Sequence, residues 1–114
     1  MTREEQVKKA VEALKALREK MTGGGYLDAS SVAERIMFDG NTLVSFDIRH
    51  WGTWENPPYA EDEEDYDWQV LSEESRERLQ ELTEDYSKRY GVTIRFTVEE
   101  KNWLSLTVQI DSKE

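Results

Sequence analysis

The spacing of the apolar residues changes abruptly at Gly91, and this change constrains the fold more than any other feature of the chain. Beyond it, apolar residues occupy alternate positions in two runs separated by a short polar stretch, as expected for two strands that each bury one face. Placing residue 98 opposite residue 104 gives Asn102 the left-handed position of a three-residue hairpin loop. The pattern therefore predicts an antiparallel hairpin over residues 92–110.

Two segments have the three-and-four spacing that is typical of amphipathic helices. One covers residues 73–90, where Ser72 is a suitable N-cap and acidic residues occupy the first turn. The other covers residues 2–21, where Thr2 and Glu5 form a capping-box pattern. The glycines at 23–25 end this first helix, because glycine readily adopts the left-handed conformation that closes a helix.

Residues 30–50 indicate a second hairpin, with its turn at Asp39-Gly40-Asn41. The outgoing arm alternates cleanly between apolar and polar residues. The incoming arm has three apolar residues that fit one strand face: Val32, Ile36 and Phe38. A helix over residues 29–38, capped by Asp28, fits the same arm equally well. The turn signal and the equal arm lengths favour the strand.

Together these elements predict one α+β domain over residues 1–114. Their order is helix, hairpin, loop with a short strand over residues 68–71, helix and hairpin. An antiparallel sheet of four or five strands with both helices on one face, in two layers, would bury the apolar side of every element. A chain of 114 residues has the usual size for one such domain.

The charge of the chain restricts its partners. With 25 acidic and 15 basic residues the net charge is −10, so nucleic acid and anionic membranes, which bind through lysine and arginine, are expected to be repelled. Basic protein surfaces are expected to be attracted. Acidity that serves only solubility is an equally simple explanation. The chain has no cysteine and no apolar signal or membrane segment, which favours a cytoplasmic location, and the oligomeric state stays open.

No pattern for catalysis or for binding of a metal or cofactor is present. The glycines at 23–25 lack the Gly-Lys-Ser/Thr ending of a phosphate-binding loop. His50 is the only histidine, and no nucleophile motif accompanies it. On a strand, Asp47 and His50 would face opposite sides, so they do not form an acid–base pair. We therefore expect a protein that is not an enzyme and that uses no cofactor or metal.

The most unusual segment is the acidic aromatic loop, residues 51–68, which reads WGTWENPPYAEDEEDYDW. It combines a dense run of carboxylates with five aromatic residues, whereas a merely disordered acidic segment is poor in aromatics. The partner-binding residues that we predict from it are Trp54, Tyr59, Glu61, Asp62, Glu63, Glu64, Asp65, Tyr66 and Asp67. A solvated loop folded back on the core is the competing interpretation. A divalent-cation site is a third, without the spacing of a calcium loop.

In an extended chain, alternate carboxylates of this loop would project from one side at intervals of about 6.6 Å. This density of charge is of the same order as that of a nucleic-acid strand, with one phosphate per ~3.4 Å. We therefore expect an inhibitor of a basic, nucleic-acid-handling protein that acts by nucleic-acid mimicry, by analogy with phage anti-restriction and anti-CRISPR proteins. The alternatives are a structural phage or plasmid module that self-associates through its sheet edge, and a de novo designed domain.

A secondary candidate surface lies on the polar face of the predicted second hairpin. It comprises Arg95, Trp103 and Thr107. Trp103 is out of place on a face that is otherwise wet. It either packs under the acidic aromatic loop, which we favour, or marks a contact site.

Overall fold

The computed structural model describes residues 2–23, 28–56, 69–99 and 102–111. In chain order the elements are α1 (Arg3–Thr22), β1 (Ala33–Ile36), β2 (Thr42–Arg49), β3 (Trp54–Glu55), β4 (Val70–Leu71), α2 (Glu73–Tyr90), β5 (Arg95–Glu99) and β6 (Trp103–Ile110). The fold is α+β, as the sequence predicts, with a four-stranded antiparallel sheet and a separate two-stranded sheet.

Both helices begin and end at the residues that their capping signals indicate. Thr2 caps α1 by accepting a hydrogen bond from the amide of Glu5, and Ser72 caps α2 in the same way. Gly23 and Gly91 close the two helices in the left-handed conformation. These local interactions explain why the observed helix ends lie within a residue or two of the predicted ones.

The main sheet has the strand order β1-β2-β6-β5, so the two hairpins lie side by side and join through β2 and β6. Thr42 lies opposite Ile110 at one end of this central pair, and Arg49 lies opposite Trp103 at the other. The side chains of these two strands that point to the inner face are all buried: Thr42, Val44, Phe46, Ile48, Leu104, Leu106, Val108 and Ile110. The apolar side chains of both helices complete the same core, which places the helices on this face.

The second hairpin has the predicted register and the predicted loop conformation. Val98 lies opposite Leu104, and Asn102 has a φ of 67°. The incoming strand is shorter than expected, because regular pairing begins only at Arg95. One reason is that the amide of Ile94 donates to the hydroxyl of Ser87 on α2 rather than to a neighbouring strand.

The ambiguous arm of the first hairpin is a strand and not a helix, but it is exposed on both faces. Ile36 is 75% exposed and Phe38 is fully exposed, so the prediction that they share a buried face with Val32 is wrong. Periodicity shows which residues share a face. It does not show whether another element covers that face. The first turn of α1 reaches this end through Arg3, which donates to Gly40 and Thr42, but it leaves an open groove beside Ile36.

The predicted short strand after the acidic aromatic loop exists as β4, but it does not extend the main sheet. It pairs with β3, Trp54 opposite Leu71 and Glu55 opposite Val70. The chain leaves β2 through His50 and Gly52, both at positive φ, and these two residues turn it away from the main sheet. Among the described helices, none is long and apolar enough to cross a membrane.

Leu106 tests the assignment of the inner face. Its side chain is fully buried between Phe46 and Phe96 on the neighbouring strands, so Leu106→Ala should lower the free energy of unfolding by about 2–5 kcal/mol. Gln109→Ala, on the exposed face of the same strand, should change it by only about half a kilocalorie per mole. Urea denaturation followed by circular dichroism measures both, and a loss below about half a kilocalorie per mole for Leu106→Ala would mean that the faces are reversed.

Candidate functional site

The structure describes the first six residues of the acidic aromatic loop, 51–56, and the chain that follows it from residue 69. Trp54 is the one predicted partner-binding residue of this loop that falls within the described ranges. Tyr59 and residues 61–67 lie outside them. The pairing of β3 with β4 closes the loop at its base, because Glu55 and Val70 are partners across the ladder. Glu55, before the undescribed part of the loop, and Val70, after it, are therefore held side by side.

A tight contact with the start of α2 fixes this base. The hydroxyl of Ser75 accepts a hydrogen bond of 2.8 Å from the amide of Thr53, and the amide of Ser72 donates to the carbonyl of Thr53 at 2.8 Å. Gly52 lies directly against Ser75: a Cβ at position 52 would stand 2.9 Å from the Ser75 hydroxyl and 3.0 Å from its Cβ. Only glycine allows this approach at a φ of 82°.

Two tryptophans anchor the same region to the core. Trp51 is buried, and the guanidinium of Arg78 on α2 lies 5.5 Å from its ring centroid. Trp54 is half-buried, packs against the core and donates its indole N–H to the carbonyl of Trp51 at 2.9 Å. Since the only polar group of Trp54 is already bonded within the chain, any contact with a partner would use the exposed part of the ring.

The helix that follows the loop extends its negative charge onto the described surface. Four exposed glutamates lie within roughly 80° of one another around α2, at the 3.6-residue period of a helix, on the side away from its buried residues. They are Glu73, Glu77, Glu81 and Glu84. We call them the α2 glutamate row. Among the described residues no lysine or arginine forms an ion pair with any of them, whereas Asp85 pairs with Arg89 at 3.1 Å.

The outer face of the main sheet carries the secondary candidate residues, but the structure divides them. Arg95 lies directly opposite Thr107 on the neighbouring strand, and Arg95 is exposed. Trp103 lies four residues from Thr107 along β6, about 13 Å away. Arg95 and Thr107 are therefore brought together, whereas Trp103 belongs to a different group of residues.

That other group surrounds a small cavity at the end of β2. The guanidinium of Arg49 stacks on the indole of Trp103 at 5.2 Å, which explains how a large aromatic ring is tolerated on a wet face. The hydroxyl of Ser105 donates to the Asp47 carboxylate at 2.6 Å. The cavity, about 240 Å³, is lined by Asp28, Ala29, Ser30, Asp47, Arg49 and Trp103.

A bulge in the first hairpin brings the loop residues of this cavity into place. Ala29 lies opposite Ile48, whereas Ala33 lies opposite Ser45, so four steps along the incoming arm match three along β2.

Charges of both signs meet at the cavity, and its small volume suits a few water molecules better than an organic ligand.

His50 lies beside Asn102, at the start of the last strand of the second hairpin. Its amide donates to the carbonyl of Asn102 at 2.8 Å, and its Nδ1 lies 3.4 Å from the side-chain nitrogen of the same residue. Both residues have positive φ, and the hydrogen bond between their backbones joins the start of β6 to the end of β2. Within the described ranges no three acidic or histidine side chains are grouped closely enough to hold a metal ion.

Sequence reasoning missed two contributors to the loop base, Gly52 and Ser75. Ser75 occupies the first turn of α2, where serine is unremarkable by itself. Gly52 lies between Trp51 and Trp54 in the sequence. A glycine there indicates a turn, but it does not show that Ser75 packs against it. Of the α2 glutamate row, the sequence pattern indicates only the acidic residues of the first turn, as a favourable start to the helix.

Gly52→Ala should loosen this base. The new Cβ would meet Ser75 and would hold a left-handed conformation, so we expect a loss of about 1–3 kcal/mol in the free energy of unfolding. Gly91→Ala is the matched control, because Gly91 has a similar φ of 69° and a Cβ there would meet nothing within 4 Å. Chemical denaturation of both variants separates backbone strain from the clash, and equal losses would contradict the close packing of Gly52 on Ser75.

No family model, no curated protein and no solved structure matches this chain.

Proposed function

We propose that this protein is a non-catalytic inhibitor that binds the basic surface of a nucleic-acid-handling protein in the cytoplasm. The observation that carries the proposal is the α2 glutamate row, four exposed carboxylates without ion-pair partners among the described residues, which follows the acidic loop directly in the chain. Such charges attract a basic partner and speed its encounter. They also repel nucleic acid itself, which makes the partner a protein.

The position of the loop base supports a continuous acidic surface. β4 ends at Leu71, and α2 begins two residues later at Glu73, so the loop returns to the molecule at the first carboxylate of the row. From Glu73 to Glu84 the row extends about 16 Å along the helix axis, at about 1.5 Å per residue. Neighbouring carboxylates are therefore about 4.5–6 Å apart along the axis, which is comparable to the spacing of phosphates on a nucleic-acid strand.

The mimicry form of the proposal follows from this spacing. A groove that neutralises phosphates with lysine and arginine would accept carboxylates at a similar interval. Some phage anti-restriction and anti-CRISPR proteins inhibit their targets by such mimicry, and the proposal is made by analogy with them. The protein would then compete with nucleic acid for its partner rather than modify either.

Neutralising the acidic surface should weaken the binding of the partner and reduce its dependence on salt. We expect this of Glu77→Gln, Glu81→Gln and Glu84→Gln combined, and of the amide variants of Glu61, Glu63, Asp65 and Asp67 combined. The association rate should fall more than the dissociation rate rises, because exposed charges act mainly on encounter. Surface plasmon resonance against a captured partner, at about 50 and 500 mM salt, measures both rates.

The control for the helix variant removes the same amount of charge elsewhere. Glu12→Gln, Glu19→Gln and Glu99→Gln combined change exposed residues outside the row and should leave binding close to wild type. Duplex DNA added to the reaction should displace the protein if mimicry is correct. Equal loss in both triple variants would mean that net charge alone matters, and unchanged binding in the row and loop variants would refute the acidic surface.

His50→Ala tests the non-catalytic part of the proposal. A general acid or base contributes about 10²–10⁴-fold to a rate, so an enzyme that depends on His50 would lose activity on that scale. We expect inhibition of the partner to stay within a few-fold of wild type, with the fold checked by circular dichroism. A loss of a hundredfold or more in a folded variant would contradict the non-catalytic part of the proposal.

A further inference from the structure

The edge of the main sheet at β1 exposes a run of large apolar residues. Ile36 is 75% exposed, Met37 is 38% exposed and Phe38 is fully exposed. Three consecutive exposed residues of this kind at a sheet edge are unusual, because proteins usually protect such edges with charge, proline or a covering loop. Among the described residues, the large hydrophobic side chains with this degree of exposure are confined to this stretch.

The backbone of β1 offers free hydrogen-bonding groups along the same edge. The amide of Met37 donates to the carbonyl of Asn41 at 2.7 Å, so the backbone N–H of Met37 points toward β2. Bonding alternates along an antiparallel strand, and therefore Arg35 also faces β2, opposite Leu43. The amides and carbonyls of Glu34 and Ile36 consequently point away from the sheet, where a further strand would bond to them.

We infer that β1 pairs antiparallel with β1 of a second copy of this chain, to form a continuous eight-stranded sheet about a two-fold axis. A second copy supplies an edge of the same length and chemistry that can bond back in the same way, and a two-fold dimer is the commonest symmetric assembly. Strand addition of this kind uses main-chain hydrogen bonds for affinity and alternate side chains for specificity.

The charges on β1 select the register of this pairing. An axis at Glu34 would oppose two carboxylates, and an axis at Arg35 would oppose two guanidiniums, both of which are destabilising. An axis at Ile36 opposes two apolar side chains on the inner face instead. It also sets Met37 of each copy opposite Arg35 of the other, and the turn that carries Phe38 lies just beyond the paired residues.

A groove on the inner face has room for these side chains. It lies between β1 and the first turns of α1 and measures about 780 Å³. Its lining includes the apolar residues Val7 and Ile36 and the charged residues Arg3, Glu4 and Glu34. The groove is open because α1 does not cover β1.

This dimer does not depend on the proposed inhibitory function, and salt distinguishes the two. Each copy carries a net charge of −10, so two copies repel one another and added salt should strengthen their pairing. Binding to a basic partner should weaken under the same change. Failure of one proposal therefore leaves the other intact.

Sedimentation velocity on the full chain, between about 10 µM and 1 mM, tests the dimer at low and high salt. We expect a concentration-dependent rise from the mass of the monomer to twice that mass. Ile36→Lys should weaken the dimer at least tenfold, because it places two like charges at the axis. This variant should fold, since the side chain is mostly exposed.

Thr97→Lys is the matched control, because it adds the same charge to an exposed position on β5, the strand at the opposite edge. It should dimerise at least as well as wild type. A wild type that stays monomeric throughout the range overturns the proposal, and so does an Ile36→Lys dimer of unchanged strength. Equal loss in both variants would also overturn it.

Amide hydrogen exchange checks the register independently. With the axis at Ile36, the amide of Ile36 bonds to the carbonyl of Ile36 in the second copy, so its exchange should slow as the concentration rises. The amide of Arg35 is bonded to β2 within the chain and should not respond. A dimer in which the exchange of Ile36 is independent of concentration would contradict the pairing.

Discussion

The pairing of β2 with β6 is the interaction on which the other elements depend. It joins two hairpins that are more than 50 residues apart in the chain, from Thr42 opposite Ile110 to Arg49 opposite Trp103. Phe46 and Leu106, both buried, meet near its middle and form the surface on which the helices pack. β1 and β5 each attach to one of these strands, and the loop base begins where β2 ends. Because contacts so distant in sequence carry a large loop-closure entropy, this pairing forms only when the apolar face is buried at the same time.

Local signals account for the parts of the fold that the sequence predicts well. Thr2, Ser72, Gly23 and Gly91 define the helices through interactions within a few residues, and Asn102 defines the second hairpin in the same way. No local signal states which hairpin strands become neighbours, and none links Gly52 to Ser75, which lies 23 residues further along. The periodicity of β1 correctly indicates a strand, yet it cannot show that α1 leaves its inner face uncovered. Predictability therefore ends where a property depends on which distant element lies nearby.

The candidate site follows the same division. The acidic aromatic loop is visible in the sequence as composition, since carboxylates and aromatic residues are dense there. The structure adds that the first residues of the loop pair with the strand that follows it and are bonded to the start of α2. It also adds the α2 glutamate row, which composition alone does not separate from an ordinary solvated helix face. The structure also limits what Trp54 can offer a partner, because its indole nitrogen is bonded within the chain and the residue is partly buried against the core.

The two proposed surfaces lie at opposite ends of β2, and this separation has a consequence for binding. The apolar edge follows the Thr42 end, whereas the loop base follows the Arg49 end, roughly 23 Å away along the strand. A dimer through β1 would leave both acidic surfaces open, so each dimer would present two of them. If the partner also offers two basic sites within reach, the second contact becomes intramolecular and the overall affinity exceeds that of one site without any new contact. Added salt screens the repulsion between copies, which strengthens the dimer. It also screens the attraction to the partner, which weakens partner binding. Binding would be strongest at an intermediate ionic strength, where the dimer already forms and the acidic surfaces still attract.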